Sequence, residues 1–238
     1  MERGRFIVIE GTDGSGKTVQ FHMLVAWLRR AGHRVATVDF PRYGMPSAFF
    51  AEKYLRGEYG SWRSCGPKAA SLFYALDRFD AARGIRKALA QGNIVLANRY
   101  VASNMGHQGA KMASSAERRK FMRWLHGLEY GILGIPKPDL NIFLRVPPEM
   151  AFKLVGRKSA RKYLKGEQRD VHEADIRHLR QAAISYRTAI KLFPRDFKVI
   201  DCAPKGALFS REAIHELVRA AVERFLRAGG GRERPLQK

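Results

Sequence analysis

Five short apolar runs rich in β-branched residues punctuate the chain: FIVIE beginning at Phe6, VATVDF at 35–40, NIVLA at 93–97, LNIFLRV at 140–146 and FKVIDC at 197–202. Runs of this length and composition predict buried strands. The stretches between them carry helical spacing. The first sets Phe21, Leu24, Val25 and Leu28 on one face and closes at Gly32, a residue suited to ending a helix. Strands alternating with helices, joined by connections long enough for crossovers, predict a five-stranded parallel sheet covered on both faces, a three-layer α/β/α fold. In such a sheet ligands gather at the carboxyl ends of the strands. Two segments depart from the alternation: residues 42–66, punctuated by Pro46, Gly57, Gly60 and Gly66, and a basic stretch from Lys153 to Arg169. Both read as insertions in a single domain spanning 1–228. The tail GGGRERPLQK at 229–238 has so little to pack that it is expected to be disordered.

Length and composition agree with one folded domain: 238 residues suffice for one buried α/β core, and 45% hydrophobic with 28% charged residues excludes a disordered chain. Charge changes the picture more. The 44 Lys plus Arg against 22 Asp plus Glu leave a net +22, which makes an anion the expected partner. A nucleotide, RNA, DNA and acidic lipid all satisfy that condition, as does a solvated basic surface with no specific partner. Cys65 and Cys202 form neither a metal-ligand nor a redox spacing, which fits a reducing compartment. FIVIE is too short for a signal-peptide core or a membrane span, so a soluble, cytoplasmic protein is expected.

Candidate chemistry begins at GTDGSGKT, residues 11–18, directly after the first predicted strand and before the first helix. This is the spacing of a Walker A phosphate loop in the context that the loop requires. Gly11, Gly14 and Gly16 let the backbone curl so that N–H groups point inward, and Thr12, Asp13 and Ser15 complete the nucleotide-binding loop. The helix beginning near Lys17 adds its positive dipole end to the same anion site. Lys17 would reach the β- and γ-phosphates of ATP, and the Thr18 hydroxyl would ligate the bridging Mg²⁺. The motif leaves the acceptor of the phosphoryl group open.

Five blocks in order narrow that choice: IEGTDGSGKT at 9–18, DFPRYG at 39–44, LFYALDRFD at 72–80, NRYVASNMGHQGA at 98–110 and PKPDLNIFLRV at 136–146. Together, from Phe6 to about Asp201, they resemble the thymidylate kinase family. The resemblance implies a P-loop kinase that moves the γ-phosphoryl group of ATP onto dTMP, and a homodimer. It implies acceptor-side roles for Asp13 at the deoxyribose and phosphate, for Phe40, and for Arg42 with Tyr43 beside it near the acceptor phosphate. Tyr74 would stack on thymine while Arg78, four residues on and so on the same helical face, reads a pyrimidine carbonyl. Arg99 would hold the acceptor phosphate, with Ser103, Asn104, His107 and Gln108 lining the pocket. The basic stretch resembles a lid, placed at about 153–170. Gly14 in the phosphate loop implies that the catalytic arginine comes from that lid, as Arg157 or Arg161. Asp170 and Glu173 would hold Mg²⁺ through water, alongside Thr18 and Asp13.

Two residues depart from the family pattern. Asn98 stands where the family has aspartate, which removes a carboxylate near the metal and shifts its duty toward Thr18, Asp13 and the phosphates. On this reading Asn98→Asp would raise turnover at limiting Mg²⁺. His107 replaces the tyrosine that crowds the sugar 2′ position, which opens the question of ribonucleotide exclusion. Because a nucleoside monophosphate has a second phosphate pKa near ~6, its attacking oxygen needs no general base. A deoxynucleoside kinase, which does benefit from a carboxylate base, remains an alternative, as does another pyrimidine nucleoside monophosphate kinase. A basic nucleic-acid-binding NTPase stays a lesser one, with nucleic acid bound only through nonspecific electrostatics.

Overall fold

The structure is a computed structural model and describes residues 3–156 and 176–228. Arg157, Arg161, Asp170, Glu173 and the 229–238 tail lie outside the described residues. Five strands, β1 (Phe6–Gly11), β2 (Val35–Asp39), β3 (Ile94–Asn98), β4 (Leu140–Arg145) and β5 (Phe197–Asp201), form one parallel sheet in the order β2-β3-β1-β4-β5. The expected second strand is one residue shorter than its apolar run. Pro41 cannot donate to a ladder, and the chain turns away after the Phe40 amide bonds the Asn98 carbonyl.

The helices are α1 (Lys17–Arg30), α2 (Phe49–Leu55), α3 (Trp62–Cys65), α4 (Pro67–Ala90), α5 (Val101–His107), α6 (Ser115–His126), α7 (Pro148–Val155), α8 (Ile176–Leu192) and α9 (Arg211–Ala228). The 42–66 segment is thus partly helical rather than a bare loop.

Alternation along β1 sorts the helices into two layers. Phe6 and Val8 point to one face, where they meet Ala81, Ala82, Ile85 and Leu89 of α4 and Phe121, Met122 and Leu125 of α6. Ile7 and Ile9 point to the other, against Phe21, Leu24, Val25 and Leu28 of α1 and Ile214, Val218 and Val222 of α9. Every residue of β1 is buried, and each such large side chain contributes on the order of 2 kcal/mol. The α1 spacing read from the sequence is the face that docks. Gly32 closes this helix at φ 84°, with its N–H on the Arg29 carbonyl.

The central strand β1 therefore delivers its carboxyl end, flanked by those of β3 and β4, into the middle of one rim of the sheet. Among the described residues no helix is long and apolar enough to cross a membrane, and Cys65 and Cys202 are unpaired.

Candidate active site

The chain leaves β1 at Gly11 and curls through Gly14 and Gly16 into α1. At Gly14, φ is 79° and a Cβ would come within 2.0 Å of the Ala151 carbonyl oxygen on α7, so only glycine lets the loop pack there. Helix α1 begins without a side-chain cap and with no acidic residue in its first turn. Its positive end is therefore open to an anion. Inside the curl the Thr12 and Ser15 hydroxyls are buried without hydrogen-bond partners, a condition that a phosphate oxygen would relieve. Lys17 is only 5% exposed and folds back over the loop, donating to the Thr12 carbonyl at 2.7 Å and lying 3.8 Å from the Asp13 carboxylate.

The facing wall is the turn after β3. Arg99 adopts φ 68°, the left-handed region that a non-glycine residue enters only under constraint. The constraint is a buried carboxylate. Glu10, fully enclosed, accepts from the Tyr100 N–H at 2.8 Å, the Ser103 N–H at 3.1 Å, the Ser103 hydroxyl at 2.8 Å and the Tyr186 hydroxyl at 3.1 Å. Burial raises the Glu10 pKa, and the Ser103 hydrogen bond and the Arg99 charge oppose it. From this turn the Arg99 guanidinium donates to Asp13 and contacts the Ser103 hydroxyl at 3.4 Å and His107 Nε2 at 3.2 Å. Burial holds the His107 pKa well below its usual value; Asp13 opposes, while Arg99, His178 and Lys17 push the same way as burial. The His178 ring stacks on His107 with centroids 5.6 Å apart.

Beyond Asp13 and Arg99 opens a cleft. Its walls are Asp13, Phe40, Tyr43, Tyr74, Arg78, Arg99, Ser103, Asn104, His107 and Gln108, joined by Pro41, Leu55 and Tyr100. All the acceptor-side residues expected from the sequence come together here except Arg42. That arginine is turned into α4, donating to Asp77 Oδ1 at 2.8 Å, to Asp80 at 2.5 Å and to the Ser47 hydroxyl at 2.6 Å. It pins the 42–66 segment to α4 and does not reach the cleft in this conformation.

Arg78 does reach it, and its orientation is set by a residue that no motif announced. Glu129 is fully buried on a π-helical segment, Gly127–Ile132, and accepts from Arg78 Nε and Nη2 at 2.6 Å each. This bidentate pair leaves the Arg78 Nη1 edge as the one not engaged by Glu129. Glu10 did carry a sequence signal: a charged residue closing an apolar run is rarely buried without partners.

At the next strand ends, Asn98 is 4% exposed and donates Nδ2 to Asp39 at 3.1 Å. Oxygen donors suited to Mg²⁺ are found on the elements around the loop: the hydroxyl of Thr18, an exposed residue at the start of α1, the Asp39 carboxylate and the Asn98 carbonyl oxygen, which is buried without a partner. Asp13 is engaged by Arg99 and near Lys17. Among the described residues no three His, Cys, Asp or Glu side chains converge on a metal position. Such a donor set fits a cation held mainly through phosphate oxygens and water rather than in a protein cage.

This strand order, with a phosphate loop on the central strand and a second, aromatic-walled cleft abutting it, defines a P-loop nucleotide kinase architecture. The sequence model of the family described as thymidylate kinase matches residues 9–211. A thymidylate kinase of Mycobacterium tuberculosis is 37% identical over 76% of this chain and 81% of its own length. One from Clavibacter sepedonicus is 31% identical over 95% of this chain and 98% of its own. The solved thymidylate kinase of Candida albicans superposes with a TM-score of 0.72 at 21% identity, covering 93% of this chain and 92% of that one, which places the fold. The chain belongs to the thymidylate kinase family.

Proposed function

We propose that this chain transfers the γ-phosphoryl group of ATP to dTMP, giving dTDP. The observation that carries the reading is the shared wall: Asp13 belongs to the phosphate loop and to the cleft, and Arg99 is bonded to it. A triphosphate on the loop and a monophosphate in the cleft would therefore meet across these two residues.

In this mechanism residues 11–18 cradle the ATP phosphates, and Lys17 leaves the Thr12 carbonyl to follow the transferred group. Thr18 and the phosphate oxygens would hold Mg²⁺, with Asp170 and Glu173 as water-mediated partners; the ion would supply charge neutralisation to the phosphates. Arg99 holds the acceptor phosphate in line. Phe40 and Tyr74 grip the base, Arg78 presents donors to a base carbonyl, and Asn104 and Gln108 complete the edge recognition. Arg157 or Arg161 stabilises charge on the moving phosphoryl group. Because the acceptor oxygen is already deprotonated, positioning and electrostatics suffice. A deoxynucleoside kinase would want a free carboxylate at the acceptor, whereas Asp13 is engaged by Arg99 and Glu10 by Tyr100, Ser103 and Tyr186.

The proposal includes a cytoplasmic homodimer. Leu72, Leu76 and Phe79 form an exposed stripe on α4 beside exposed Phe49 and Phe50 on α2, a surface suited to a second copy. The activity is tested by coupled ADP release with dTMP, dUMP, UMP, CMP, AMP and GMP. The expected kcat/KM is highest for dTMP; a purine preferred over every pyrimidine would refute the acceptor assignment.

A further inference from the structure

Asp39 and Asn98 form a pair that the mechanism above leaves unused. They lie opposite each other in the β2–β3 register, and Asn98 also pairs with Ile9, two residues before the phosphate loop. The Asn98 amide is oriented by its donation to Asp39 at 3.1 Å, which leaves its Oδ1 buried and without a donor. A buried amide oxygen in this state calls for a hydrogen that is supplied on binding.

Asp39 is the solvent-facing member of the pair. Burial by the surrounding walls raises its pKa, while the Asn98 hydrogen bond and the charges of Arg99, Lys17 and His22 lower it. His22 lies four residues beyond Thr18 on α1 and hence on the same helix face, and Thr18 is an exposed residue.

We propose that Asp39, held in place by the Asn98 amide, is the carboxylate that binds the water shell of the Mg²⁺ carried by the nucleotide, and that the Asn98 carbonyl oxygen takes a donor from those same waters. Mg²⁺ keeps several waters, and a carboxylate one shell out both accepts from them and supplies negative charge. In this chain the charge comes from β2, one strand away from the neutral Asn98. The inference rests on the phosphate-loop reading.

The test uses Mn²⁺ as probe on the full chain saturated with ADP, following free Mn²⁺ by its paramagnetic resonance signal, with metal-free ADP affinity measured calorimetrically. Asp39→Asn is expected to weaken Mn²⁺ binding in the ADP complex about 10-fold and to leave metal-free ADP affinity unchanged. The exchanged pair, Asp39→Asn with Asn98→Asp, returns the charge to β3 and is expected to restore Mn²⁺ affinity. Unchanged Mn²⁺ affinity in Asp39→Asn, or an equal loss in the exchanged pair, overturns the inference while leaving the phosphate loop intact. Failure of the wild-type chain to bind ADP, with or without Mn²⁺, overturns both.

Discussion

Arg99 occupies a left-handed backbone conformation at φ 68°, and such strain costs a non-glycine residue on the order of 1 kcal/mol. What it gains is a guanidinium bonded to Asp13 and facing the cleft and the phosphate loop together. Lys17 is held in a comparable state of readiness, on the Thr12 carbonyl at 2.7 Å. Lys17→Met removes the charge but keeps an apolar stem in a buried slot. It should lower kcat by about 10² to 10³, the scale of a lost electrostatic donor, with the melting temperature little changed.

His107 gives a pH signature. Its folded pKa is depressed by burial, so between the ordinary histidine value near ~6.5 and that lower value the unfolded chain binds a proton that the folded chain does not. Stability therefore rises with pH through this window, is lost as pH falls through it, and stops changing below the folded value. His126 and His215, whose pKa values burial also lowers, act in the same direction. Thermal melts from pH 7.5 to 5.5 should fall less steeply for His107→Gln than for wild type; parallel slopes would contradict the assignment. Asn98→Asp would now place two carboxylates side by side, so any gain in metal binding should be largest at the alkaline end of that range.

At the scale of elements, Glu10 ties β1 to α5 through Tyr100 and Ser103 and to α8 through Tyr186. Glu10→Gln turns an amide NH₂ toward groups that donate, leaving at least one donor unsatisfied at a cost of about 1–3 kcal/mol. The expected fall in melting temperature is roughly 2–10 °C, with a loss of dTMP affinity larger than that of ATP. Close packing of α5 on α8 supports the same junction, since a Cβ at Gly106 would meet the Tyr186 ring at 2.2 Å.

Legibility in the sequence also divides by element. The five strands could be read because they are apolar runs, and α1 because its apolar residues share one face. The phosphate loop was visible because its chemistry is contiguous. Arg42 was not, since its carboxylate partners are 35 and 38 residues away and only the fold brings Asp77 and Asp80 to it. Glu129 has no local signal in the sequence, because the π-helical turn that aims it at Arg78 has no spacing signature. The Asp39–Asn98 pair depends on strand register, which no local pattern specifies.

For the whole molecule, the net +22 favours the approach of anionic nucleotides. Glu10, Asp13, Asp77 and Glu129 are all buried, and three of them are paired with Arg99, Arg42 and Arg78, so these acids are held inside the fold beside cations. The proposed dimer would cover the α4 stripe, where Leu76 is 47% exposed. Leu76→Glu should convert the assembly to monomer in light scattering; an unchanged mass would remove α4 from the interface.

The proposed donor and acceptor sites share the Asp13–Arg99 wall, and the most direct measurement follows the γ-phosphoryl group itself. With ATP labelled at the γ-phosphate, Mg²⁺ and dTMP, the label is predicted to appear in dTDP with matching ADP release, and Arg99→Ala should suppress this transfer. Label recovered only as inorganic phosphate, or left on ATP with every mononucleotide offered, would contradict it.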